Sequence, residues 1–174
     1  MLRRTLLAAA VFAIGACTPA PQEKAEAPQP EPAQEIACNS VAPDVGKQVG
    51  VVEAPVTAAA ADLRGGRIAP GVYDLTAAQR IGGATGWQGT RAVALDISED
   101  AQTGAVTLNW AGTTPTSLID RWTATLTDAP QARLAYSCGR IGEVDASFAA
   151  AERTLDLRLA DGANGALQLT FERR

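Results

Sequence analysis

From Gly71 onward, apolar and polar residues alternate with a period of two in one short segment after another, the pattern of β-strands buried on one face. GVYDLT (71–76) opens the series. RAVALDI (91–97) sets Val93, Leu95 and Ile97 on one face, GAVTLNW (104–110) sets Val106, Leu108 and Trp110, and DRWTATL (120–126) sets Trp122, Ala124 and Leu126. ARLAYSC (132–138) aligns Leu134, Tyr136 and Cys138, and EVDASFA (143–149) aligns Val144, Ala146 and Phe148. RTLDLRL (153–159) and ALQLTFE (166–172) finish with Leu155, Leu157, Leu159 and Leu167, Leu169, Phe171. The spacing of three and four that a helix needs is missing from these segments. Connections such as Asp161-Gly-Ala-Asn-Gly165 have hairpin chemistry, because Gly and Asn tolerate positive φ. One apolar and one polar face per strand predicts an all-β, antiparallel fold. Eight up-and-down strands lose their open edges most economically by closing into a barrel, with a β-sandwich as the alternative.

Upstream the pattern changes. Residues 39–70 carry no clear alternation; VTAAAADL (56–63) reads as a short alanine-rich helix and Leu63 to Arg67 as a loop. Residues 18–35, TPAPQEKAEAPQPEPAQE, are Pro, Ala, Glu or Gln at sixteen of eighteen positions, a composition that forms no core. Extended at roughly 3 Å per residue, that segment is a tether about 50 Å long. Before it, Arg3 and Arg4 precede an apolar run, Leu6 to Ala13, too short to span a bilayer, as in a cleaved secretory signal.

Ile14-Gly15-Ala16-Cys17 resembles the lipobox of bacterial lipoproteins. The resemblance implies cleavage after Ala16 and a diacylglycerol on the Cys17 sulfur. In enteric bacteria aspartate after the lipidated cysteine favours inner-membrane retention; Thr18 in that position implies the outer membrane, with the domain facing the periplasm. The expected organisation is a signal peptide over 1–16, a lipidated cysteine and disordered tether over 17–36, and a β-domain over 37–174.

Composition narrows the chemistry. With 47% hydrophobic and 20% charged residues the domain can bury a core. The net charge is −4, and more negative by two once Arg3 and Arg4 leave with the signal, which disfavours nucleic acid as a partner. There is no histidine, so Ser-His and Cys-His pairs and histidine metal sites are excluded. Of the three cysteines, acylation of Cys17 leaves Cys38 and Cys138 as an even pair in a disulfide-permissive compartment. A Cys38–Cys138 bond is the expectation, two buried thiols the alternative. No C-x-x-C spacing points to zinc or redox chemistry, and no cofactor or metal is indicated.

Gly71-x-Tyr73-x-Leu75-Thr76 is similar to the opening strand of lipocalin-like domains, and Leu167-x-Leu169-x-Phe171-Glu172-Arg173 to the closing strand of small bacterial lipocalin-like lipoproteins. With Arg91 to Ile97 and the cysteine after the fifth strand, the resemblance covers about Gly71 to Arg173 and implies a lipocalin-like barrel. Tyr73 stands where lipocalins usually keep tryptophan. The lipobox, Pro-rich tether, Gly-x-aromatic strand and single disulfide are also the organisation of periplasmic lipoproteins that inhibit proteases or lysozyme.

Candidate contact residues are aromatic. Tyr73, Trp110, Trp122, Tyr136 and Phe148 fall on inward faces, where they either line a small apolar cavity or fill the barrel. The loop Gly82-Gly-Ala-Thr-Gly-Trp-Gln-Gly89 lacks the Gly-Lys-Ser/Thr ending of a phosphate loop. It presents Trp87, which either stands exposed as an interface anchor or tucks over the barrel end. Asp96, Asp120, Asp145 and Asp156 read as outward-facing surface charge on separate strands. The sequence therefore predicts a non-catalytic, lipid-anchored envelope lipoprotein. It binds a small hydrophobic ligand or an envelope component, or alternatively inhibits or engages another protein.

Overall fold

The chain divides into two units, Met1–Gln34 and Glu35–Arg174. A computed structural model describes residues 37–54, 63–114, 116, 118–127 and 132–174. The signal peptide, Cys17, the tether and all but the last residue of the predicted 56–63 helix lie outside the described residues.

All eight predicted strands are present: β2 (Gly71–Ile81), β4 (Val93–Glu99), β5 (Val106–Thr113), β6 (Ile119–Thr127), β7 (Arg133–Cys138), β8 (Glu143–Ala150), β9 (Thr154–Asp161) and β10 (Gly165–Arg173). Two more join them, β1 (Val49–Ala54) and β3 (Thr90–Arg91). Each of the eight pairs antiparallel with its neighbour, and β10 returns to β2 from Ala166↔Ile81 to Arg173↔Tyr73. The ring is closed, so the fold is an up-and-down β-barrel and not a sandwich. Inward side chains of alternate residues make the core, among them Leu95, Ile97, Leu108, Leu157, Leu169 and Phe171, each at most 2% exposed. Segment 63–70 crosses one end: Gly65 N–H donates to Phe148 O at 2.7 Å, Ile68 joins the core and Tyr73 Oη donates to Ala69 O at 2.6 Å.

Strand β1 fills a gap. β2 pairs with β4 only over Gly71–Asp74; farther along, β1 runs parallel to β2 (Val51↔Ala78 to Ala54↔Ile81) and antiparallel to β3 (Val49↔Arg91). It thus occupies the space between two ring strands that diverge toward the other end, the mouth. The sequence-based reading missed β1.

Two bulges reset the alternation, as an extra residue in one strand must. Phe171 faces Leu75 and Thr170 faces Ala77, so Thr76 is the extra residue and the inward series Tyr73, Leu75 continues as Ala78 and Arg80. On β7, Tyr136 faces Ala124 while Cys138 faces Thr123, leaving Ser137 as the extra residue. Cys138 therefore leaves the inward face of Leu134 and Tyr136, contrary to the sequence-based alignment, and turns outward. There it bonds Cys38, with Cα atoms 5.5 Å apart.

From that disulfide the arm 39–47 runs over the outside of the barrel. Asp74, Ala94, Ala111 and Arg121 are consecutive cross-strand partners on β2, β4, β5 and β6, all facing outward. The two alanines are fully buried and form the floor of a shallow trough whose charged ends hold the arm. At one end Arg121 donates to Val41 O and, at 3.3 Å, to Asn39 Oδ1. At the other, Asp74 accepts from Lys47 Nζ at 2.7 Å and from Arg174, which also reaches Ala42 O. The Arg174 guanidinium, with lesser help from Lys47, holds the Asp74 carboxyl below its ordinary value against the opposing effect of burial.

Candidate functional site

The mouth is the end at which β2, β5, β7 and β9 finish. Trp110 and Trp122 are directly paired across β5 and β6, so their indoles stack with centroids 5.2 Å apart and planes 12° apart. Trp87 meets Trp110 edge-on at 6.3 Å, and Tyr136 meets Trp122 edge-on at 5.3 Å. These offset and T-shaped contacts are the arrangements favoured by the ring quadrupole.

Trp87 is 2% exposed, so it covers the barrel end and is not an exposed interface anchor. Its loop is drawn inward at two points. Asp161 Oδ2 accepts from the N–H groups of Thr85 and Gly86 at 2.8 and 2.6 Å, and Arg80 Nη1 donates to Trp87 O at 2.9 Å. A Cβ on Gly86 would lie 2.9 Å from that carboxylate oxygen, so a side chain there would push Asp161 away from its present position under the loop.

Beneath the loop a cavity of about 120 Å³ opens to solvent on one side. Trp87, Trp110, Trp122 and Tyr136 make its aromatic wall; Val144, Leu159, Leu167 and Leu169 make its apolar floor. Arg91 and Arg140, with Asp161 and the small residues Gly86 and Ala160, complete it. Arg91 lies over Trp87 at 5.2 Å, and Arg140 over Trp122 and Tyr136 at 5.8 and 5.7 Å, cation–π positions that fix both guanidiniums at the rim. Both are near Asp120 Oδ2, at 3.9 and 3.7 Å, while Oδ1 accepts from Trp110 Nε1 at 3.1 Å. Asp120 shares the face of Trp122 and points into the mouth, so the outward placement read from sequence is corrected. Among the described residues the buried Trp87 Nε1 and Arg91 Nε have no acceptor.

Of the predicted aromatic set, the structure gathers Trp87, Trp110, Trp122 and Tyr136 at one cavity and leaves Tyr73 and Phe148 in the core away from it. Burial pushes the Tyr73 hydroxyl above its ordinary value. Asp96, Asp145 and Asp156 sit on the outer faces of β4, β8 and β9, and Asp156 accepts from Thr170 Oγ1 at 2.6 Å. Arg91 was legible in principle: it has the parity of Val93, Leu95 and Ile97. Arg140 lies in a turn, where no periodicity points to it. Among the described residues no cluster of three Cys, Asp or Glu side chains is arranged to hold a metal.

No family model matches the chain, and no curated protein matches it. A solved structure described as the de novo design of a fluorescence-activating β-barrel is similar over 60% of this chain and 93% of that chain, at 9% identity and a TM-score of 0.41.

Proposed function

We propose that the chain is a non-catalytic, lipid-anchored module of the bacterial cell envelope whose barrel mouth takes up a small, largely hydrophobic ligand. The anchor reading rests on the lipobox pattern ending at Cys17, and Thr18 rather than aspartate after it supports an outer-membrane anchor with the domain facing the periplasm. The binding reading rests on one observation, the solvent-open cavity under Trp87. A concave, mostly apolar site with a few convergent polar groups is the usual form of a ligand pocket. Its volume is near that of engineered cavities that bind benzene, so the ligand, or the part of it that enters, has the size of a single ring. Filling of the remaining interior by the barrel's own side chains confines uptake to the mouth.

The test uses the full chain in phospholipid nanodiscs, probed by saturation-transfer NMR against a panel of single-ring compounds. Some members of the panel should receive saturation, and Val144→Phe, which fills the floor of the cavity, should abolish the signal while leaving the melting temperature nearly unchanged. No binding by any member, or binding indifferent to Val144→Phe, overturns the reading.

A further inference from the structure

The mouth holds more hydrogen-bond donors than acceptors. Asp120 Oδ1 is committed to Trp110 Nε1, and its other oxygen is 3.9 Å from Arg91 and 3.7 Å from Arg140. Those separations exceed ordinary hydrogen-bond length, so the two guanidiniums share a carboxylate without bonding it closely. Asp161 Oδ2 already accepts from two backbone amides. Trp87 Nε1 and Arg91 Nε, both buried, add two donors that no described residue satisfies. A buried donor without an acceptor is destabilising.

Resting on the reading of the mouth as a binding site, we infer that its ligand is a single-ring aromatic carboxylate. The ring lies against the indoles of Trp87, Trp110 and Trp122, and the carboxylate meets Arg91 and Arg140 at the rim. Three features favour an anion over a neutral ring. The guanidiniums are held in place by the aromatic faces they cover, so little ordering is lost when they bind. Their planar forks match a carboxylate bidentately. The surroundings are partly desolvated, with the Arg91 side chain 15% exposed, which strengthens a charge-assisted bond.

Benzoate, benzamide and benzylammonium share one ring and differ in charge, so they separate the two claims. Titrated into the full chain in nanodiscs and followed by tryptophan fluorescence, benzoate should bind about tenfold or more tightly than benzamide, as one added charge-assisted contact implies, and benzylammonium should bind least. Arg140→Gln, at a half-exposed position that the fold tolerates, and Arg91→Gln should each weaken benzoate severalfold and leave benzamide within about twofold. Benzamide binding as tightly as benzoate, or benzoate binding unchanged in Arg140→Gln, overturns the carboxylate inference and leaves the binding reading standing. Failure of all three compounds to bind overturns both.

Discussion

Gly112 and Asp74 illustrate how single positions set this molecule's geometry. Gly112 has the inward parity of Leu108 and Trp110, and a Cβ there would lie 2.9 Å from Trp110 Nε1 and 3.1 Å from Asp120 Oδ1. The hydrogen bond that orients the Trp110 indole at the mouth therefore depends on a missing methyl group. Asp74 is 4% exposed and held by Arg174 and Lys47. Asp74→Asn removes the charge but keeps the shape, and should lower unfolding free energy by about 1–2 kcal/mol near neutral pH, a modest figure because both cations are themselves largely solvated. The carboxyl's folded value lies below its ordinary 3.8, so its contribution is complete above that value and disappears as pH falls through the folded value. Urea denaturation of both proteins along a descending pH series should show the two stability curves converging only on the acid side. A gap that stays constant to low pH would mean that charge is not what Asp74 contributes. Asp120 shares the parity of Trp122, which points it inward, although the sequence reading set it on the outer surface. The burial of Asp74 was not legible, because nothing local marks which outward carboxylate an arm will cover.

Strands that alternate along most of their length, such as β5 and β9, overlap their predicted segments, Val106–Thr113 against 104–110 and Thr154–Asp161 against 153–159, because burial on one face is recorded locally, residue by residue. Elements were misread where the alternation breaks. β2 continues to Ile81 beyond the predicted Thr76 because the bulge at Thr76 shifts the period by one, and the same slip at Ser137 sends Cys138 outward. β1 was missed because its partners lie later in the chain, and its six residues carry only a weak apolar stripe. The arm and β1 follow directly from the Cys38–Cys138 bond, which closes a loop of about a hundred residues; in the chain-entropy model this restrains the unfolded chain by roughly 4–5 kcal/mol. Replacing both cysteines by serine should lower stability by about 2–5 kcal/mol. The outward row from Asp74 to Arg121 should keep the arm in place at lower protection. Hydrogen exchange at the Val51 amide, which donates to Gly89 O, should accelerate while amides in β5 and β9 change only by the global loss. Unchanged exchange at Val51 would show that the disulfide does not restrain β1.

At the scale of the whole molecule, the anchor and the barrel are separate propositions. The anchor is tested by Cys17→Ala in the full chain expressed in a bacterial host. Palmitate labelling and the diacylglycerol mass should both vanish, and the protein should leave the membrane fraction. Lipid incorporation that survives the substitution would refute the lipobox reading. For the barrel, the eight ring strands, their antiparallel order, the inward aromatics and the expected cysteine pair were legible in the sequence, since periodicity, turn chemistry and residue parity are properties of short stretches. Tertiary structure alone decided for a closed barrel, with β10 on β2, over a sandwich, set β1 between β2 and β3 at the mouth, and folded Trp87 inward over a small cavity rimmed by Arg91 and Arg140. Those outcomes depend on register and on contacts between residues far apart in the chain, and one bulge residue is enough to exchange the inside of the barrel for the outside.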